Sequence, residues 1–312
     1  MLACALLSLS VPAFAQQPLT ADDIMARVAA NQDKTEAARA HFVYTQHVHV
    51  LSRTGKTIRC EETTDTRITP TPTGSQRQLL KLEGRLLVKH KYETYTTLPA
   101  SDSGSKTTRD ENDSVHQQED SGEMDQDLVE NLRANLLEKK SADAKDGIAA
   151  GLFPLTSKAA PHYIYRLLGR EPRNGRDCFH ISFHPKDDEY DWKGDAWIDA
   201  NAFQPVVVRT ALYQNIPLGV RIFLGTSVPG LGFTVIYAPQ PANAPAGSET
   251  LWFPTSFGTE FKIHILFFLN RQIVLSADNR DFEQTHVTSV IRDSPTPDAV
   301  PPDPKPDAPN PR

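Results

Sequence analysis

Three features of this 312-residue chain predict an α+β fold, with one antiparallel sheet and its helices gathered on one side. Apolar residues at helical spacing occur in two early segments, 20–40 and 126–141. Period-two runs fill most of the remainder, without the βαβ alternation that a parallel sheet requires. The third feature is the stretch from Gly194 to Thr210, GDAWIDANAFQPVVVRT, which reads as two strands joined by a tight polar turn.

Taken in order, the first fifteen residues, MLACALLSLSVPAFA, form an apolar run ending in Ala13-Phe14-Ala15, the small-x-small pattern of a signal-peptidase site before Gln16. A periplasmic or secreted protein is the expectation, with residues 1–15 removed and 16–293 forming a single domain. Cys4 precedes most of the apolar run and does not read as a lipid anchor. Residues 20–40 form a helix, with Thr20 as N-cap, acids in the first turn, and Ile24, Met25 and Val28 on one face. From His41 the period changes to two, placing Phe42, Tyr44, Val48 and Val50 together. A turn at Arg53-Thr54-Gly55-Lys56 sends a strand back through Cys60.

Thr69 to Gly74, TPTPTG, reads as a loop, and 77–83 with 85–95 as a strand pair hinged near Gly84. Residues 99–127 are rich in Ser, Asp and Glu, the composition of a solvated, flexible acidic insertion. Leu128, Leu132, Leu136 and Leu137 then predict a helix over 126–141. A short helical turn is expected at 147–152. Strands follow over 162–170, 176–184, 193–199, 204–213, 219–224, 232–238, 250–256, 259–269 and 272–284. Residues 294–312 contain eight prolines and read as a disordered tail.

The net charge of −6, with no Lys/Arg cluster interleaved with aromatics, excludes nucleic acid as a partner. No run of about eighteen uncharged apolar residues follows the first segment, so no transmembrane span is expected. Cys60 and Cys178 are permitted to form a disulfide in an oxidising compartment, although their spacing does not decide it.

Polar motifs point away from catalysis. His47 and His49 share one strand face, as do His180 and His184, but neither pair has a third ligand at short spacing, so no metal is expected. Ser103-Gly104-Ser105-Lys106 fits S-x-x-K only formally, because it lies in the polar insertion without its companion motifs. The acids Asp187, Asp188, Glu189 and Asp191 read as a solvated turn. No nucleophile elbow, H-E-x-x-H helix, phosphate loop or dinucleotide fingerprint occurs, so no catalytic residue and no cofactor is assigned. The apolar content says more. The run from Ile216 to Phe233 is an apolar hairpin broken by glycines and prolines, and both faces of 261–268 carry large apolar groups.

Several short words in fixed order carry a resemblance: Phe42 to Val48 (FVYTQHV), Leu152 to Thr156 (LFPLT), the GDAWIDANAFQPV hairpin, Pro229 to Phe233 (PGLGF), and Trp252-Phe253-Pro254 with Gly258 to Phe261. They resemble the LolA-like superfamily of exported lipoprotein and lipid carriers, and more closely an uncharacterised family of bacterial exported proteins within it. The resemblance implies a curved, open antiparallel half-barrel whose helices cover the concave face, with a hydrophobic cavity between. It implies a lipid or acylated lipoprotein as ligand, or an envelope protein as partner in members that act as sensors. The arginine that holds the helical lid shut in the lipoprotein carrier has no assigned match, although Arg59 and Arg67 fall in the corresponding early strands.

The expected function is a non-enzymatic periplasmic carrier or chaperone for a lipid, acylated lipoprotein or apolar peptide. An envelope sensor or scaffold is the alternative, and an envelope hydrolase using His180, His184 or Asp199 a weaker one. The residues expected to line the cavity are Phe42, Tyr44, Leu80, Leu82, Trp197, Phe203, Ile222, Leu224, Phe261, Leu266 and Phe267.

Overall fold

The computed structural model describes residues 19–71, 73–97, 121–134, 155–186, 192–212, 232–240, 251–265 and 269–285. Within them the chain forms α1 (Ala21–Arg39), β1 (Phe42–Thr54), β2 (Thr57–Thr71), β3 (Gly74–Val88), β4 (Lys91–Thr97) and α2 (Ser121–Arg133). Then follow β5 (Tyr163–Arg173), β6 (Arg176–Pro185), β7 (Trp192–Asp199), β8 (Pro205–Leu212), β9 (Thr234–Gln240), β10 (Leu251–Ile265) and β11 (Leu269–Gln284). All eleven strands join one sheet in the order β4-β3-β2-β1-β11-β10-β9-β8-β7-β6-β5. Each neighbouring pair is antiparallel. Pairing of β1 with β11 brings the first and last strands together mid-sheet and leaves β4 and β5 as edges, so the sheet does not close.

Local chemistry explains most boundaries. Thr20 caps α1 through a reciprocal box: its hydroxyl accepts from the Asp23 amide at 3.1 Å, and the Asp23 carboxylate accepts from the Thr20 amide at 3.1 Å. The TPTPTG segment is more strand than loop, because β2 runs to Thr71 and β3 restarts at Gly74. The expected hinge at Gly84 is also absent. β3 passes straight through it, and the reversal falls at Lys89 and His90, whose φ values of 45° and 70° form the left-handed pair a tight hairpin needs. Gly84 is required for another reason: the Tyr95 ring lies across it, where a Cβ would stand. The strands expected over 250–256 and 259–269 merge into β10, with a bulge between Pro254 and Ser256. α2 begins at Ser121, inside the segment expected to be a flexible acidic insertion, and earlier than the 126 predicted from its leucines.

One row of directly paired residues crosses the whole sheet: Leu167, Ile181, Ala196, Val208, Val235, Phe257, Ala277, Val48, Thr64, Leu82 and Thr97. Directly opposed residues share a face, and this row belongs to the face on which both helices lie. Ile24, Met25 and Val28 of α1 cluster with Ile181, Ala196, Val208 and Val235, while Val129 of α2 clusters with Val48 and Ala277. Phe257 packs against both groups. α1 touches β5 and also β10, five strands apart, which a flat sheet would separate by about 24 Å at ~4.8 Å per strand, more than the ~10–12 Å width of a helix. The sheet therefore curls around α1, as an open half-barrel with its helices on the concave side.

Candidate functional site: the helix-covered face and its end cleft

α1 occupies one half of the concave face by an apolar beginning and a polar end. Ile24, Met25, Val28 and Ala29 are buried, and the same face continues through buried Gln32, Thr35 and Arg39. Gln32 donates to Gln204 at 2.6 Å, Gln204 donates to Thr35 at 3.1 Å, and the Thr35 hydroxyl donates to the Asn31 carbonyl at 2.5 Å. Asn31 in turn donates to the carbonyls of Ala202 and Phe203, both at 3.1 Å. These bonds tie α1 to the β7–β8 hairpin, whose turn is organised by Asp199. Its carboxylate accepts from the amides of Asn201 at 2.9 Å and Ala202 at 2.8 Å, and from Arg176 at 2.9 Å. Burial alone would raise the Asp199 pKa, but the Ala202 amide, Arg176 and the Asn201 amide outweigh it and hold the group below its ordinary value.

α2 covers the other half with three apolar side chains and three ion pairs, two on Asp125 and one on Arg133. Leu128 and Leu132 pack on Phe261, Ile263 and Ile273. Val129 packs among Val48, Val50, Cys60, Leu86, Leu275 and Ala277. At the start of the helix Asp125, with no exposed surface, accepts from Arg271 through both oxygens, at 2.6 and 2.9 Å. Ser52 and Arg59 add donors to it at 3.0 and 3.4 Å. At the other end Arg133 donates to Glu62 at 2.6 Å, and Glu62 also accepts from Tyr95 at 3.3 Å. Burial raises the pKa of Glu62 against the opposing pull of Arg133. Cys60 lies beside this group, 3.7 Å from the Tyr95 hydroxyl, and burial pushes its thiol up to about 12. Tyr95 is raised too, first by burial and then by Cys60 and Glu62.

A cleft of about 540 Å³ opens at the end of the sheet beside the C-terminal half of α1. Lys34, Thr35 and Ala38 of α1 line it together with His41, Phe42, Leu251, Trp252, Gln204 and Gln284. Phe42 leads inward through edge contact with Phe253 at 5.1 Å to Phe282 at 4.4 Å and Tyr44 at 5.5 Å.

The residues expected to line one cavity are dispersed. Phe42 lines the cleft, Tyr44 is fully buried in the aromatic run behind it, and Leu82 and Phe261 lie on the concave face. Phe203, at φ 49°, sits on the hairpin turn against Phe179, with the Arg27 guanidinium 4.8 Å from its ring. Leu80 is 41% exposed, because it falls at the register shift where β3 bulges against β2. Trp197 pairs with His180 and Val207, one residue out of phase with the concave row, and so belongs to the outer face. There it is buried by His180 stacked at 4.6 Å and by Arg173 at 4.1 Å, and its indole donates to Glu171. Ile222, Leu224, Leu266 and Phe267 lie outside the described residues, as do segments 1–15, 147–152 and 294–312. Cys60 and Cys178 are both free, buried thiols in this structure and belong to different apolar clusters.

The histidines of the outer face are held by carboxylates: His47 by Asp65 and His49 by Glu61, both at 2.7 Å. His180 bonds Asp195 at 2.9 Å through Nε2 and faces Glu171 at 3.6 Å through Nδ1. This arrangement engages the His180 ring that a hydrolase would need. Among the described residues no three His, Cys, Asp or Glu side chains gather as a metal site, and no helix is long and apolar enough to cross a membrane. Sequence reasoning missed Asp125, Glu62 and Arg271. For Glu62 and Arg271 the only signal was a charged residue at a strand position whose register partner, Val50 or Ile263, is apolar.

No family model matches the chain, and no curated protein matches it. Solved structures do. A DUF1329 family protein from Desulfovibrio piger is similar at 10% identity and TM-score 0.38, covering 87% of this chain and 96% of its own. A putative outer membrane lipoprotein-sorting protein domain from Vibrio parahaemolyticus is similar at 10% identity and TM-score 0.35, covering 84% and 94%. A LolA superfamily protein from Nitrosomonas europaea is similar at 11% identity and TM-score 0.34, covering 86% and 94%.

Proposed function

We propose that the protein is a non-enzymatic carrier or chaperone of the cell envelope that buries an acyl chain or apolar peptide on the concave face of its sheet, beneath α2. A lipid or an acylated lipoprotein would supply the chain. The observation that carries the reading is the mismatch between floor and cover. The floor carries two apolar clusters, one around Val48 and Leu275 and one around Phe261, Ile263 and Ile273, while its cover among the described residues is one thirteen-residue helix with three inward apolar side chains. The rest of the hold on α2 is polar, through Asp125 and Arg133. Polar clamps can exchange for water, so lifting α2 would expose apolar floor that an acyl chain can cover.

Gently purified protein should yield lipid on extraction and mass spectrometry, and fluorescent acyl probes should bind it with blue-shifted emission. Absence of both results sinks the carrier reading.

An envelope scaffold working through protein contacts is favoured by one feature, the edge strand β5. It presents Ile164, Leu167 and Leu168, three of the six large apolar residues exposed among those described, along a strand paired on one side only. Capture of an extended peptide by proteins lacking bound lipid, abolished by Ile164→Asp with Leu167→Asp, would support that reading instead.

A further inference from the structure

We propose that β5 is a strand-addition site for an extended polypeptide segment whose residues run apolar, acidic, any, apolar. The inference rests on the scaffold reading of this edge and adds the chemistry of its partner; it is independent of the acyl floor. β5 ends the strand order, and Ile164, Leu167 and Leu168 are 45%, 37% and 48% exposed along it. The edge is held ready. Tyr163 is buried with its ring 5.9 Å from that of Phe183, Tyr165 packs against the same core, and α1 lies against the strand. An incoming strand therefore meets backbone already in β geometry, and the ordering cost falls on the partner alone.

The register limits the usable length and sets the pattern. Between Leu167 and Gly169 the pairing with β6 shifts, leaving Leu168 in a bulge, and Pro172 has no N–H to donate. The regular stretch is thus Tyr163 to Leu167. Leu167 pairs with Ile181 on the concave face, whereas Arg166 pairs with Ser182 and Ile164 with His184 on the outer face. An antiparallel partner, read from its N-terminus, passes Leu167, Arg166, Tyr165 and Ile164 in that order. Apolar residues therefore suit its first and fourth positions, one on each face.

Arg166 selects the second position. It is exposed, it is the charged residue of the stretch, and among the described residues no carboxylate pairs with it. The nearby acids are engaged elsewhere: Asp177 with Arg170 at 2.5 Å, Asp195 with His180 at 2.9 Å, and Glu171 with the Trp197 indole. An acidic side chain opposite Arg166 completes a charge match, and a lysine there is repelled. The same arginine disfavours a second copy of the chain. Antiparallel self-pairing within Tyr163 to Leu167 opposes Arg166 to no acid, and the register that opposes it to Glu171 runs through the bulge and Pro172.

Full-length protein is titrated by fluorescence anisotropy with the labelled peptide Thr-Val-Glu-Thr-Val-Thr, with the same peptide carrying Lys in place of Glu, and with the two forms N-methylated at alternate amides. The glutamate peptide should bind at least about five-fold more tightly than the lysine peptide, the scale of an exposed charge pair. One of the two methylated forms, whose blocked amides face β5, should lose binding. In Arg166→Glu, with folding verified by circular dichroism, the order of the glutamate and lysine peptides should invert. Equal binding of the two, or an order unchanged in Arg166→Glu, overturns the acidic selection; if Ile164→Asp with Leu167→Asp still abolishes binding, the scaffold reading stands without it. A dimer in light scattering that the same double variant dissolves gives the edge to a second copy and overturns the inference as well. If no peptide binds, the inference and the scaffold reading both fail.

Discussion

Replacing Asp125 with leucine removes the acceptor that both guanidinium nitrogens of Arg271 meet, and Arg271 is only 7% exposed. A buried cation stripped of its partner costs about 3–5 kcal/mol, whereas exchanging both partners for apolar groups of similar size is close to neutral. The double variant Asp125→Leu with Arg271→Met should therefore lie within about 1 kcal/mol of the parent, the residual being the Ser52 hydroxyl left without its acceptor. Arg59, less buried at the side chain, reaches water in both variants. Because the lost bond fastens α2 and not α1, the damage should fall locally. Urea denaturation gives the global term, and hydrogen exchange over 121–133 the local one. Protection of α2 should collapse in the single variant and recover in the double, with α1 unchanged in both. Equal losses in single and double variants, or full α2 protection in Asp125→Leu, would refute the latch.

The Glu62 carboxyl has a pKa raised above 4.5, so the folded state binds its proton more readily than the unfolded state. Its contribution is thus greatest in acid and declines as pH rises through the raised value. In urea denaturation the parent should gain stability relative to Glu62→Gln as pH falls from neutral towards 4.5, and the opposite slope would show that the Arg133 pair dominates. Thr20→Ala removes the oxygen that caps the Asp23 amide and should cost about 1 kcal/mol, with exchange accelerating in the first turn of α1. At Gly194 a Cβ would overlap the Arg209 carbonyl of the paired strand, backbone that cannot step aside, so Gly194→Ala should cost towards the upper end of about 1–3 kcal/mol and lower the thermal midpoint. Cys60 and Cys178, raised by burial to about 12 and about 11, should react with a thiol reagent only after unfolding, and reductant should leave the melting curve unchanged.

Elements whose cause is local were legible in the sequence. Thr20 and Asp23 announce α1 from three residues apart, and the Asp199 turn organises the hairpin from within its own four residues. Features set by distant partners were not. Gly84 looks like a hinge until Tyr95 is laid across it, and Lys89-His90 takes up a turn more often made by Asn-Gly. Trp197 reads as a cavity aromatic because of its size, yet the register places it on the outer face under arginines. Asp125 and Arg271 are 146 residues apart and resemble ordinary surface charges in one dimension. The buried stripe Gln32, Thr35 and Arg39 is polar, so it carries no apolar periodicity to mark it in one dimension.

The central claim, that α2 is the movable cover of an acyl-binding floor, is tested most directly by hydrogen exchange with mass spectrometry on the full chain, with and without a saturating fluorescent fatty acid. Binding should deprotect 121–133 while leaving 21–39 and the central strands β1 and β11 as they were. A fatty acid that binds with α2 equally or better protected, or that fails to bind, would contradict it.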